Sequence, residues 1–359
     1  MIRTFKRGEA LNNKEPMYYL RFDEDDIDLP KKLYIEPTSM CNLNCSICFR
    51  HGWIDEKLGH MDFSLFANLA EELKTLPHIE EVFFGGMGEP LFHTQICQMI
   101  SIVPKGKKIS LLTNGTMLTE EMSENLIKSG LDELWVSMDG FEKSIYESIQ
   151  LGSHFDIITK NLRNFNLKRN GTDTRLCITF VVTSENAEQL KYINKFAEEY
   201  SVDTLNISHM IPSSPIKKEA LLYERDDIPV GKMHRFILKA NKTEPYVCPF
   251  ITSNSVFVKW NGDVSPCMQL LHGCHTYLYE EKREITSFSY GNIKKESLMG
   301  SWNNPQYTEF RERVRTFYFP FCDICWGCDD RKKNLTDCVY GDSPTCGACL
   351  WASGKVFCP

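Results

Sequence analysis

The chain has 359 residues and a net charge of -7, with 48 acidic against 41 basic side chains, a balance that disfavours a nucleic-acid partner, which needs a clustered basic surface. No run approaches the roughly 20 apolar residues of a membrane span, and the basic residues at the N-terminus are followed by no apolar signal region, so a cytoplasmic protein is expected. Fifteen cysteines in such a chain are not a disulfide framework, because that compartment keeps thiols reduced, and ligation of metal or clusters is the better account.

Residues 1–30 form a polar N-terminal arm whose acidic run, Asp23 to Asp26 with Asp28, reads as a solvated face. From 31 to 245 strand-like and helix-like patterns alternate. Strands are expected at 33–37, 80–84, 108–113, 133–138, 176–182 and 204–210. Amphipathic helices are expected at 63–76, with Asp62 as N-cap, at 120–129, stopped by Gly130, and at 187–200. Six β/α units in a row predict an α/β fold with a parallel sheet and right-handed crossovers. Functional groups then belong at the C-terminal ends of the strands.

The loop after the first strand carries Cys41, Cys45 and Cys48 in the spacing C-x3-C-x2-C. Three thiolates on one loop hold three corners of a 4Fe-4S cubane and leave the fourth iron open to bind a small molecule. A structural zinc would want a fourth ligand, for which His51 and His60 are the candidates, and closed zinc sites usually pair two C-x-x-C motifs. Three cysteines cannot pair among themselves as disulfides.

With Ile47 before the third cysteine, this run resembles the motif of the radical S-adenosylmethionine (SAM) enzymes. The resemblance implies a partial (β/α)6 barrel in which SAM chelates the open iron. One electron from the cluster then splits the sulfonium into methionine and a 5'-deoxyadenosyl radical that abstracts hydrogen from a substrate. After the second strand, Gly85-Gly86-Met87-Gly88-Glu89 resembles the family's G-G-E segment with two residues inserted, so Gly85, Gly86 and Glu89 carry over as SAM ligands. Thr113-Asn114-Gly115 reads as a simple turn. Ser137 and Asp139 share one face of the fourth strand and can hydrogen-bond a ribose diol, and Asn186 resembles a further SAM-binding position. His209 reads equally as a packed histidine or a catalytic one, and Cys97 and Cys177 as buried small hydrophobes.

Ten of the fifteen cysteines follow residue 247, which marks 246–359 as a second domain. Asn261-Gly262 between strand-formers signals a hairpin. The spacing Gly262-x4-Cys267 resembles the SPASM extension of radical SAM enzymes, which holds auxiliary 4Fe-4S clusters. Its ligands are expected among Cys248, Cys267, Cys322, Cys325, Cys328, Cys338, Cys346, Cys349 and Cys358, with Cys274 spare. A zinc ribbon competes for the paired cysteines of the tail. The segments following Cys48 and Cys338 narrow the resemblance to the maturases of tungsten-cofactor oxidoreductases.

That resemblance implies three cofactor groups: the SAM-binding 4Fe-4S cluster, SAM itself and two auxiliary 4Fe-4S clusters. The partners implied are a peptide, protein or cofactor-loaded enzyme as substrate and a low-potential electron donor such as ferredoxin or flavodoxin, with no nucleic acid and no membrane. Modification of a ribosomally made peptide is the alternative substrate class, and a non-enzymatic iron-sulfur carrier or scaffold the alternative of another kind. No residue is assigned as a catalytic acid or base.

Overall fold

The computed structural model describes residues 28–54, 56–215, 248–278, 280–316, 322, 328–336, 344–352 and 356. Cys325, Cys338 and Cys358 lie outside them, as does 231–242, whose sequence pattern reads as a helical stretch before the second domain. Strands β1 (Lys32–Ile35), β2 (Glu81–Phe84), β3 (Lys108–Thr113), β4 (Glu133–Ser137), β5 (Arg175–Val182) and β6 (Thr204–His209) pair in sequence order, each parallel to the next. Their apolar residues are buried almost without interruption, as both-face burial of a parallel sheet requires.

Between the strands run α1 (Phe63–Leu73), α2 (Ile96–Ser101), α3 (Glu120–Lys128), α4 (Lys143–Ile149), α5 (Phe155–Arg169) and α6 (Ile193–Glu199). Asp62 caps α1 by accepting from the Ser64 N–H at 2.7 Å, and the helix buries Leu65, Phe66, Leu69, Ala70 and Leu73. It stops at Leu73 rather than Leu76, because the Thr75 and Leu76 N–H groups turn back to Glu72 and Leu73. Thr119 caps α3 through the Met122 N–H, and Gly130, at φ +94°, ends it. The segment expected as one helix at 187–200 opens as a 3-10 turn over Ala187–Tyr192 before α6 begins.

The same sheet continues beyond residue 245. After the short helix α7 (Pro249–Thr252), β7 (Ser255–Val258) lies parallel beside β1. The Asn261–Gly262 turn returns the chain as β8 (Asp263–Ser265), antiparallel to β7. A separate hairpin follows, β9 (Cys274–Leu278) with β10 (Glu281–Ile285), and then β11 (Gly291–Asn292) pairs with β8. Helices α8 (Leu298–Trp302) and α9 (Pro305–Arg315) follow. The described sheet therefore has nine strands in the order β11-β8-β7-β1-β2-β3-β4-β5-β6. Tyr34 of β1 stacks on Phe257 of β7 with ring centroids 4.3 Å apart and touches Phe83 of β2 at 5.0 Å, so one aromatic layer runs under all three strands.

Asp28 departs from the solvated role expected of its acidic run. It pairs with Arg311 at 2.6 Å and with Arg315, while its carbonyl accepts the Trp302 indole N–H at 3.0 Å. The two arginines hold its carboxyl below the usual range against the opposing effect of burial.

Candidate active site and cluster-binding loops

Cys41, Cys45 and Cys48 sit on the loop that leaves the C-terminal end of β1. The Cys48 N–H bonds to the Cys45 carbonyl at 3.0 Å, and the His51 imidazole reaches the same carbonyl at 2.8 Å, winding the loop into a tight turn. Burial pushes the Cys45 thiol up to about 12, and the charges of Cys48, Asp139 and Cys41 add to it. That mutual effect places the three sulfurs in one neighbourhood. Burial holds Cys45 and Cys48 toward the thiol form, and ferrous or ferric charge relieves the repulsion that opposes their ionisation. The donor set therefore fits a cluster.

Loops from the next strands close on this one. The Glu89 N–H bonds to the Met40 carbonyl at 2.8 Å. A Cβ on Gly88 would lie 2.2 Å from the Thr38 carbonyl oxygen, so only glycine permits this approach. The Glu89 carboxylate accepts from the Thr113 hydroxyl at 2.6 Å, the Asn114 N–H at 2.7 Å and the Leu91 N–H at 2.9 Å. Burial nonetheless raises it to about 7. Asn114 does more than form a turn: its amide reaches the Asn42 side chain at 2.9 Å and the Cys41 sulfur at 3.8 Å. Gly86, at φ +155°, lies against Glu36.

On the other side, Asp139 is buried and accepts from Gln150 at 2.8 Å and from the Val181 N–H at 2.9 Å, while Ser137 lies 3.4 Å from it. Asn186, fully enclosed, spends both amide donors on the Asp139 and Val181 carbonyls. The structure thus brings Gly85, Gly86 and Glu89 to one side of the cysteine loop and the Ser137–Asp139–Asn186 group to the other. Ile47, on the loop itself, is half-buried.

Sequence reasoning missed a buried charge network at this mouth. Glu36, one residue beyond β1, accepts from His272 at 2.7 Å; the other nitrogen of that imidazole meets Glu56 at 3.0 Å, and Glu56 also pairs with Lys259 at 2.8 Å. Burial pulls His272 down, but the two carboxylates outweigh it and leave it above its ordinary value. Burial opposes ionisation of Glu56 too, and its partners still hold it at about 2. Trp53 stacks on His272 with ring centroids 4.3 Å apart, and the Ile54 N–H bonds to the Gly273 carbonyl, which docks the 272–274 segment on the cluster loop. A cavity of about 350 Å³ opens beside this junction, with Cys48, Arg50, His51, Trp53 and Glu56 in its wall.

A second group of thiols includes Cys248, before β7, and Cys267, after β8. Cys248 and Cys267 are buried and Cys346 and Cys349 half-buried, and desolvation raises all four. Cys346 is raised further by the charges of Cys349, Cys248 and Cys267, and Cys267 by those of Cys248 and Cys349, so the four lie within electrostatic reach of one another, although no three ligands among the described residues converge closely enough to hold a single metal ion. Cys322 lies near the Arg283 side chain, which donates to the Arg331 and Ala348 carbonyls. Cys274 is buried beside Glu56 and Trp53 instead.

Residues 35–197 match the profile of the radical SAM superfamily, and residues 248–329 that of SPASM, an iron-sulfur cluster-binding domain. The chain is 31% identical over 352 residues to the tungsten-containing aldehyde ferredoxin oxidoreductase cofactor-modifying protein of Pyrococcus furiosus, spanning 92% of this chain and 97% of that one. The chain belongs to the radical SAM superfamily. As a radical SAM enzyme with a SPASM domain, it binds a 4Fe-4S cluster with SAM, and auxiliary iron-sulfur clusters. This radical SAM chain is also 23% identical over 321 residues to the PqqA peptide cyclase of Gluconobacter oxydans, spanning 86% of this chain and 85% of that one. Its fold superposes on anSMEcpe, solved with bound AdoMet and the Cp18Cys peptide, with a TM-score of 0.57 at 19% identity over 90% of this chain and 95% of that one. Among the described residues no helix is long and apolar enough to cross a membrane.

Proposed function

We propose that this radical SAM enzyme matures a tungsten-dependent oxidoreductase of the aldehyde ferredoxin oxidoreductase type, or its cofactor. The observation that carries the reading is the 31% identity to a cofactor-modifying protein across nearly the whole of both chains. Cys41, Cys45 and Cys48 hold the cluster that binds SAM, with Gly85, Gly86, Ile47, Ser137 and Asp139 around it. Glu89 and Asn186, whose polar atoms are taken up by neighbouring backbone and Thr113, shape the same site by fixing the loops. Bound there and given one electron by ferredoxin or flavodoxin, SAM supplies methionine and a 5'-deoxyadenosyl radical that removes hydrogen from the substrate. Cys248, Cys267, Cys346 and Cys349 form the ligand set of one auxiliary cluster. Cys322, Cys325, Cys328, Cys338 and Cys358 supply the other, on the division into a core at 31–245 and an auxiliary domain at 246–359.

The test is to express the oxidoreductase with and without this protein in the same cytoplasm. Higher activity and metal content in the presence of the protein support the reading, and equal values in both cases end it. A peptide substrate is the second reading, favoured by the match to PqqA peptide cyclase across most of both chains. Anaerobic reduction of the reconstituted protein with SAM is expected to yield 5'-deoxyadenosine under either reading.

A further inference from the structure

Among the described residues, the cavity beside the cluster loop holds a cation with no carboxylate partner. Among the described residues Arg50 forms no ion pair; its guanidinium lies 5.3 Å from the centroid of the Trp53 ring, and its Nε–H is buried without an acceptor. The Trp53 indole N–H is buried without an acceptor as well. The one carboxylate in the cavity wall among the described residues, Glu56, is already committed, to Lys259 and His272 through one oxygen and to the Gly273 N–H, at 2.6 Å, through the other. It does not neutralise Arg50. Enclosed donors left unmatched cost free energy, and a guanidinium is shaped to take a carboxylate or phosphate through two parallel bonds. At about 350 Å³ the space is within the usual range for a small-molecule site, roughly 300 to 1,000 Å³.

We propose that this cavity is a subsite for an anionic group of the substrate, a carboxylate or a phosphate, received by the Arg50 guanidinium and the Trp53 indole N–H. The inference rests on the reading that the substrate reacts beside the Cys41–Cys48 loop, and it serves a peptide carboxylate and a cofactor phosphate alike. SAM carries a carboxylate of its own, so the experiment must separate the two sources.

Full-length protein with its clusters reconstituted and SAM saturating is dialysed to equilibrium against radiolabelled inorganic phosphate and, separately, acetate. Whichever anion binds the better names the group. Arg50→Gln is expected to weaken that binding about 10- to 100-fold, as for a lost charge-assisted hydrogen bond, with iron content unchanged and SAM affinity within about twofold of wild type. Equal anion binding by wild type and variant overturns the proposal, as does a wild type that binds neither anion. If phosphate or acetate competes with SAM and the variant loses SAM affinity by the same factor, the cation serves SAM itself and the substrate subsite is refuted. Should Arg50→Gln fail to load iron, Arg50→Lys keeps the charge and loses the fork; a several-fold loss of anion binding then supports the proposal, and no loss overturns it. None of these arms uses the oxidoreductase, so the maturase reading can fail in co-expression while the subsite stands, and the reverse.

Discussion

Glu89 collects three hydrogen bonds, yet full enclosure still lifts its carboxyl from the ordinary 4.5 to about 7. Between those values the folded chain binds the proton more tightly than the unfolded chain, so the contribution of this group to stability falls as pH rises through the window. Glu89→Gln is expected to flatten that part of the profile. It also turns an amide N–H toward donors, at a cost of about 1–3 kcal/mol for each group left unmatched. Urea unfolding of wild type and variant, at several pH values across the window, checks this, and parallel profiles would sink it. At this scale the sequence was legible where a motif is local: the three cysteines and the glycine-rich turn are each contained in a few residues. The network at the mouth was not, because Glu36 and His272 are 236 residues apart in the chain, Glu56 and His272 216 apart, and no short window contains both members of either pair. Asn114 escaped for a different reason, since Asn-Gly is also what an ordinary turn requires, and its reach to Cys41 and Asn42 is a matter of tertiary placement.

The β/α units were legible because their pattern is strong: apolar runs of strand length separated by amphipathic stretches with a cap at one end and glycine at the other. Each of the six expected strands falls within a few residues of its place, and the Asn261–Gly262 signal became the β7–β8 turn. Helix ends were less legible, as at Leu73, where three more residues of suitable pattern turn off as separate loop bonds. What no periodicity conveys is how closely the loops approach one another. Gly88 decides that approach, because the atom a Cβ would meet is backbone, which cannot swing aside. Gly88→Ala is therefore expected to push the 85–90 loop off the 38–40 loop, costing about 1–3 kcal/mol as overpacking does and weakening SAM binding along with it. A thermal melt and equilibrium dialysis with SAM report the two effects. If the variant melts and binds as wild type does, the close contact has no such hold on the site.

Across the whole molecule, the division between the two cysteine-bearing regions does not coincide with a break in the sheet. β7 is hydrogen-bonded along β1, so Cys248 and Cys267, on either side of β7 and β8, are built onto the strand that feeds the first cysteine loop. Asp28 fastens the start of the described chain to α9 through Arg311 and Arg315, and Asp28→Ala, which takes the carboxylate from the enclosed Arg311, is expected to lower the melting temperature and to loosen that end of the molecule in hydrogen exchange. Unchanged exchange at Trp302 and along α9 would remove the clasp from the argument. The shared sheet also sharpens the test of cluster content. Three four-iron clusters require about twelve irons per chain, four of them on the Cys41 loop. Changing Cys41, Cys45 and Cys48 together to Ala removes the ligands of that loop without altering β1, since the sulfurs lie beyond its last residue. The variant should then keep about eight irons on the auxiliary sites and make no 5'-deoxyadenosine. Elemental analysis after anaerobic reconstitution decides the matter. One or two zincs beside only four irons in the wild type would favour a zinc ribbon in the tail, and loss of all iron from the triple variant would mean that the auxiliary clusters depend on the first one rather than on β7 and β8.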